Sequence, residues 1–299
     1  MVKTAYSKIN LTLEILGTKR GDGFHDLKSV MHKIPLGDVI SVDLKKGTGK
    51  VFLNCSENVC DNENNLAYMS AKAYLSEYEK ENKVDFDVYI NLVKITPTGA
   101  GLGGGSADAA CVLDIMSDLL CGVSEDKKEL IAATLGSDVV FCLDKYKSAY
   151  CSGRGEICKS IDTLPKNTCI LIAKPNQSLN TKGIYKSYDE RYGDDYSKSS
   201  TDKMVQALAL GDVTKIAHSF VNDFEGLCID RLGEIGKIKR EISRLGAYVS
   251  GMSGSGSAVF GLFDNSRDCF EGKKILLESG LEQVFAFSES DFEKMYKGE

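Results

Sequence analysis

Between Pro97 and Ser106 the chain reads P-T-G-A-G-L-G-G-G-S, with five glycines among the seven residues from Gly99 to Gly105. A backbone stripped of side chains lets a ligand come within contact distance of the main chain. Apolar residues follow at helical spacing (Ala109, Val112, Leu113, Met116 and Leu120), and Ser106 is placed to cap that helix. A helix N-terminus offers unpaired N–H groups and the positive end of the macrodipole. Pro97, Gly99, Ala100, Gly101, Leu102, Gly103, Gly104, Gly105 and Ser106 therefore read as an anion cradle, most naturally for a di- or triphosphate.

Other readings compete for the same residues. Gly99, Gly101 and Gly104 match the dinucleotide pattern G-x-G-x-x-G, but the loop comes after roughly a hundred residues and a proline precedes it, rather than opening a first βαβ unit. The P-loop pattern needs Gly-Lys-Ser/Thr, and here Gly105 runs straight into Ser106. The bland alternative is a glycine turn that serves only close packing.

Elsewhere, three side chains stand where chemistry is possible. Asp138 follows a helix end and precedes the apolar run V-V-F-C-L; it is either a general base for a hydroxyl or a turn aspartate satisfying local N–H groups. Lys8 opens an apolar strand; it is either a solvated edge charge or a cation that stabilises negative charge developing on a transferred group. Asn10, two residues on, shares its face of the strand. His25 lies in an early glycine-rich turn, where a structural role is the commoner fate of a histidine.

The elements that must position these residues are legible in outline. Ile9, Leu11, Leu13 and Ile15 alternate with polar residues, which predicts a half-buried strand, and Val39 to Leu44 and Val84 to Leu92 predict two more. A helix is expected from Asn64 to Glu81, with Leu66, Met69 and Ala73 on one face and Asn65 placed to cap it, and another from about Glu125 to Leu135, ended by Gly136. Beyond residue 160 come a strand from Cys169 to Ala173 and helices near Thr181, Thr201 and Leu232. A second glycine-serine loop (S-G-M-S-G-S-G-S-A), a strand (A-V-F-G-L-F) and a last helix–strand pair complete the chain. Gly254, Ser255 and Gly256 are flanked by apolar runs and predict a buried tight turn. E-R-Y-G-D-D-Y-S-K-S-S-T-D reads as an exposed loop. Strands and helices mix without strict βαβ alternation, so the expected class is α+β in two domains, 1–155 and 156–299.

Composition narrows the partners. The formal net charge of −6, without a basic stripe, argues against nucleic acid. No C-x-x-C pair exists among the 10 cysteines, so a zinc site is poorly supported, and no residue is assigned as a metal ligand. M-V-K-T-A-Y-S-K-I-N lacks the apolar segment of a secretory signal, and no apolar run approaches the ~20 residues needed to span a bilayer. The expectation is a cytoplasmic protein with reduced thiols, no membrane partner, and a monomeric or homodimeric state.

Three segments read together carry a resemblance. A-Y-S-K-I-N-L with R-G-D-G-F-H-D-L, then T-P-T-G-A-G-L-G-G-G-S-A-D-A-A with G-S-D-V-V-F-C-L, then S-G-M-S-G-S-G-S-A resemble, in that order, the GHMP kinase superfamily over essentially the whole chain. The first segment is similar to the superfamily's 4-diphosphocytidyl-2-C-methyl-D-erythritol kinases, which serve isoprenoid precursor synthesis; N-D-F-E at 222–225 and N-T-K-G-I-Y near Thr181 also fit. The resemblance implies an active site between two domains, ATP and Mg²⁺, and phosphorylation of the 2-hydroxyl of the cytidine-diphosphate-linked methylerythritol. It implies Lys8 and Asp138 as the catalytic pair, Asn65 near the adenine, and Asn10, Phe24, His25, Thr181 and Tyr185 around the substrate, with His25 on the cytosine edge and Tyr185 stacking. Two departures are visible: Phe24 stands where the family commonly has Tyr, and Val140 where it has Pro.

Overall fold

The computed structural model describes residues 1–17, 21, 25–57, 62–179, 181–192 and 199–292, without the side chains of Asn62, Thr181, Lys182 and Tyr192. In chain order the elements are β1 (Val2–Leu16), β2 (Asp26–Lys46), β3 (Val51–Cys55), α1 (Leu66–Tyr78), β4 (Phe86–Val93), α2 (Gly104–Leu120), α3 (Glu125–Leu135), α4 (Ser137–Cys142), β5 (Ser148–Ser152), β6 (Ile157–Ser160) and β7 (Cys169–Lys174). They continue with α5 (Thr181–Tyr192), α6 (Ser200–Leu210), α7 (Val213–Ser219), β8 (Val221–Asn222), α8 (Glu225–Arg231), α9 (Gly233–Arg244), β9 (Val249–Met252), β10 (Val259–Phe263), α10 (Ser266–Glu278) and β11 (Gln283–Ser288). The chain divides into two compact units, each discontinuous in sequence, and β1 and β2 contribute residues to both.

The first unit holds residues 1–7, 36–98 and 103–146. Its sheet runs β3–β4–β2, parallel across the first pair and antiparallel across the second, from Val39↔Val93 to Lys46↔Phe86. Val42, Val88, Ile90 and Leu92 are buried in this unit. Helix α1 turns Ala67, Ser70, Ala71, Tyr74 and Leu75 inward; on the face shared by Leu66, Met69 and Ala73, Leu66 and Ala73 are half-buried and Met69 is exposed. Helix α1 packs against α2.

The second unit holds residues 8–35, 99–102 and 147–299. In it β1 pairs in parallel with β8 (Thr12↔Val221), and β2 pairs with β5, which pairs with β6. A four-stranded antiparallel sheet, ordered β11-β7-β10-β9, packs against α9 and α10. Leu171, Ala173, Val259 and Phe263 of the sheet share one core with Ile235, Ile238 and Ile242 of α9 and Cys269 and Leu276 of α10.

Two expectations need correcting. Strand β1 is buried on both faces: Lys8, Asn10, Thr12 and Glu14 are as sequestered as Ile9, Leu11, Leu13 and Ile15. Polar side chains tolerate this because they find hydrogen-bond partners inside. The stretch expected as an exposed loop around residues 190–202 is helical at both ends, since α5 runs to Tyr192 and α6 begins at Ser200.

Candidate active site

On the polar face of β1 the Lys8 ammonium donates to Asn10 Oδ1 at 2.6 Å. Asn10 Nδ2 donates to Ser29 Oγ at 2.8 Å, and Ser29 donates in turn to the Thr12 carbonyl at 2.5 Å. Further along, Glu14 accepts the N–H groups of Ser200 and Thr201 at 3.0 and 2.9 Å, where the positive end of α6 favours a carboxylate. Sequence alternation alone points Glu14 toward water; the tertiary fold makes it a helix anchor.

The first half of the glycine loop meets this strand. Lys8 N–H donates to the Leu102 carbonyl at 2.9 Å. Ser253 Oγ donates to the Gly101 carbonyl at 3.0 Å and accepts the Asn10 N–H at 3.3 Å, while Ala258 N–H donates to the Ala100 carbonyl at 3.0 Å. Residues 253–257 form the expected buried turn. Asn222 shapes it by donating to the carbonyls of Met252 and Gly254 at 2.8 and 2.9 Å, and Glu225 accepts the Met252 N–H at 3.0 Å. That is the work of the N-D-F-E segment, for which residue types alone suggested no role. Gly101 is glycine for packing: its φ is 75°, and a Cβ there would stand 2.1 Å from the Ser253 carbonyl oxygen.

The second half of the loop, with Asn65, Pro97 and Asp138, belongs to the first unit. Helix α2 starts at Gly104, with Gly103 at its N-cap in the left-handed region (φ 69°) and no side chain capping it. Ser106 is therefore not the cap; it lies inside the first turn, and the first intrahelical bond runs from Ala107 N–H to the Gly103 carbonyl. The N–H groups before it have no partner within the helix. Gly104 packs on Thr96, with a built Cβ 3.0 Å from Cγ2. Gly105 differs: it is exposed, its φ is not positive, and a Cβ would meet only Leu66 Cδ1 at 3.7 Å. Neither packing nor backbone conformation requires glycine there, although glycine in a helix costs about 1 kcal/mol relative to alanine. A phosphate-bearing ligand approaching the helix end fits that observation.

Asn65 caps α1 as expected, accepting the Ala67 N–H at 3.0 Å. Asp138 lies half-buried in the first turn of α4, which starts right after Gly136 and packs against α2. Val140 sits within that short helix.

Below the loop is a buried cluster that residue types alone did not reveal. Asp38 accepts the N–H groups of Ile95 and Thr96 at 2.5 and 2.7 Å on Oδ1 and the Lys94 ammonium at 2.5 Å on Oδ2. Lys94 also donates to Asp108 at 2.7 Å. Burial pushes the Asp108 carboxyl up to about 7, against the pull of Lys94. Burial works against the Lys94 charge too, but Asp108 and Asp38 raise it above the ordinary lysine value.

In the second unit His25 is buried and stacks on Tyr185, with ring centroids 6.0 Å apart and planes 22° from parallel. Phe224 meets Tyr185 edge-on at 4.6 Å. His25 Nδ1 lies 3.4 Å from the Gly17 carbonyl. Its Nε2 lies 2.8 Å from Asp189 Oδ1, at ion-pair distance but without hydrogen-bond alignment. Phe24 and the Thr181 side chain lie outside the described residues.

Comparison with known proteins places this arrangement. The GHMP kinases N terminal domain matches residues 65–145 and the GHMP kinases C terminal domain matches residues 204–269. A 4-diphosphocytidyl-2-C-methyl-D-erythritol kinase of Clostridium botulinum is 36% identical over 279 residues, covering 92% of this chain and 96% of its own. The chain belongs to the GHMP kinase family. A crystal structure of 4-(cytidine 5'-diphospho)-2C-methyl-D-erythritol kinase superposes on this GHMP kinase with a TM-score of 0.78 and 29% identity, covering 96% of this chain and 98% of that one. A homoserine kinase from Cytophaga hutchinsonii, at TM-score 0.67 and 18% identity over 95% of each chain, shares the fold. The mixed α/β architecture with N- and C-terminal domains is thus that of the GHMP small-molecule kinases, and membership implies ATP as phosphoryl donor.

Proposed function

We propose that this GHMP kinase transfers the γ-phosphoryl group of ATP to the 2-hydroxyl of 4-diphosphocytidyl-2-C-methyl-D-erythritol, a step toward isoprenoid precursors. The observation that carries the reading is the meeting, within one unit, of the Lys8–Asn10 strand face, Gly99–Leu102 and the Ser253–Ala258 turn. These are parts of the three segments on which the family resemblance rests. The Clostridium botulinum relative and the superposed kinase at 29% identity are both kinases of the cytidine-linked methylerythritol by name, and they support it as acceptor.

Asp138 takes the proton of the 2-hydroxyl as its oxygen bonds to the γ-phosphorus, and the bond from that phosphorus to the β–γ bridging oxygen breaks to release ADP. Lys8, steadied by Asn10, stabilises the charge on the transferred group. Pro97, Gly99–Gly105 and Ser106 hold the phosphates, and Asn65 lies toward the adenine. Mg²⁺ would arrive on the nucleotide, with Ser106 contacting either a phosphate or the ion. Bound there, Mg²⁺ would offset phosphate charge. The expected division into 1–155 and 156–299 separates the two family models in sequence, but the compact units do not follow it: residues 8–35 and 99–102 belong with 147–299, because β1 and β2 each run through both units. Phe24, His25 and Tyr185 receive the cytidine end and Thr181 lines the substrate cleft, in a cytoplasmic monomer or homodimer. Among the described residues no helix is long and apolar enough to cross a membrane.

The test is kcat/KM with ATP for four acceptors: the cytidylated substrate, 2-C-methyl-D-erythritol 4-phosphate, mevalonate and homoserine. The cytidylated compound should be strongly preferred. His25→Ala should narrow the preference over the uncytidylated phosphate, since base stacking contributes ~1–3 kcal/mol per base and buried polar groups reject a ligand that leaves them unpaired. Equal use of both methylerythritol acceptors, or preference for mevalonate or homoserine, would overturn the cytidine pocket and leave the kinase assignment standing.

A further inference from the structure

We infer that Asp38 is a positioning residue for the ATP-binding glycine loop, holding the chain where it enters the loop and, through Lys94 and Asp108, where it leaves it. This rests on the reading of Gly99–Ser106 as the ATP site.

The entry is held by one carboxylate. Both amides immediately before Pro97, those of Ile95 and Thr96, donate to Asp38 Oδ1, and Pro97 has no N–H of its own. Asp38 reaches them from β2, 58 residues upstream of Thr96, and is fully buried. Hydrogen bonds to an ionised acceptor are roughly twice as strong as neutral ones, so the backbone is fixed before the first glycine.

At the other end, Lys94 bridges Asp38 Oδ2 to Asp108 Oδ2, and Asp108 lies one turn into α2. The two ends also touch: Gly104 stands so close to Thr96 that a Cβ would lie 3.0 Å from Thr96 Cγ2 and 3.7 Å from Asp38 Oδ2. The residue whose amide Asp38 grips is thus the surface on which the first residue of α2 rests.

Stability alone is a poor reason for this cluster. Buried ion pairs are often replaceable by apolar residues at no loss, and this one leaves Asp108 Oδ1 and Thr96 Oγ1 buried without partners among the described residues. One cation faces two carboxylates, an arrangement that costs folding energy while fixing atoms in place. That suits a loop whose amides must meet phosphate within tenths of an ångström.

The experiment uses the full chain. ATP affinity is measured by calorimetry, KM is measured separately for ATP and for the cytidylated acceptor, and thermal melts establish that each variant is folded. Asp38→Asn should weaken ATP binding about 10–100-fold, with acceptor KM within about twofold of wild type. Asp108→Ala guards against a misfolded first variant. It removes the excess buried carboxylate and leaves Lys94 paired with Asp38, so the melt should hold or rise, yet ATP affinity should fall about 3–30-fold. ATP affinity within about twofold of wild type in a folded variant, or equal damage to both substrates, would overturn the inference. Failure of the wild-type chain to bind ATP at all would instead overturn the reading of the loop itself.

Discussion

The Lys8 ammonium and the Asn10 side-chain oxygen are 2.6 Å apart on one buried face of one strand. Asn10 is itself fixed by Ser29, which is fixed by the Thr12 carbonyl, so the lysine head group has a defined position at the end of a hydrogen-bonded chain. Asn10→Ala should lower kcat by about 10–100-fold while changing ATP affinity far less, because the cation is misplaced rather than lost. Steady-state kinetics with calorimetric ATP titration checks this; a rise in ATP dissociation constant as large as the fall in kcat would show that Asn10 serves binding instead.

Asp138→Asn keeps the size of the side chain and removes its capacity to take a proton. Turnover should fall by roughly 10²–10⁴-fold with ATP still bound. Near-normal turnover would return Asp138 to the status of an aspartate in the first turn of α4.

Gly105 offers a sharper test of the phosphate cradle than Gly101 or Gly104, whose substitution would collide with Ser253 or Thr96. Gly105→Ala should raise stability by up to about 1 kcal/mol, as alanine is the better helix former. The same methyl group should weaken ATP binding by about tenfold if the main chain meets phosphate there. Opposite movement of melting temperature and ATP affinity is the expected signature; a gain in stability with ATP binding unchanged would leave the glycine without a ligand-based reason.

The carboxyl of Asp108, pushed up by burial to about 7, links stability to pH. Its folded value lies above the ordinary aspartate value of 3.8, so its contribution is complete below about 4 and is lost as pH rises through about 7. Against wild type, Asp108→Asn should therefore become relatively more favourable from pH 5 to pH 8, by on the order of a few kcal/mol at most. Denaturant melts at matched pH values check the sign, and a difference between the two proteins that does not change with pH would refute it.

Features encoded by neighbours were legible before any tertiary structure. The glycine loop, the helix behind it, the Asn65 cap and the buried turn at 254–256 all stand where residue types and spacing put them, because each depends on residues a few positions apart. Helix faces were less secure. Leu66 and Met69 are the larger apolar residues at the start of α1, yet Ala67, Ser70, Ala71, Tyr74 and Leu75 are the ones buried, because the neighbours against which a helix packs are set by the tertiary fold.

The sequence by itself determined that a phosphate-sized anion could be met by main chain at Gly99–Ser106 and that Lys8, Asn10 and Asp138 were the residues to watch. Only the tertiary structure decided which polar atoms pair. Glu14 serves the start of α6, 187 residues away at Thr201; Asn10 meets Ser253 across 243 residues; Asp38 grips the entry to the glycine loop. The reason is physical. Apolar periodicity records which face of an element is inward, and a short segment suffices to show it. A buried carboxylate or amide survives only where a particular donor or acceptor comes within about 3 Å, and that donor sits wherever the folded chain brings it.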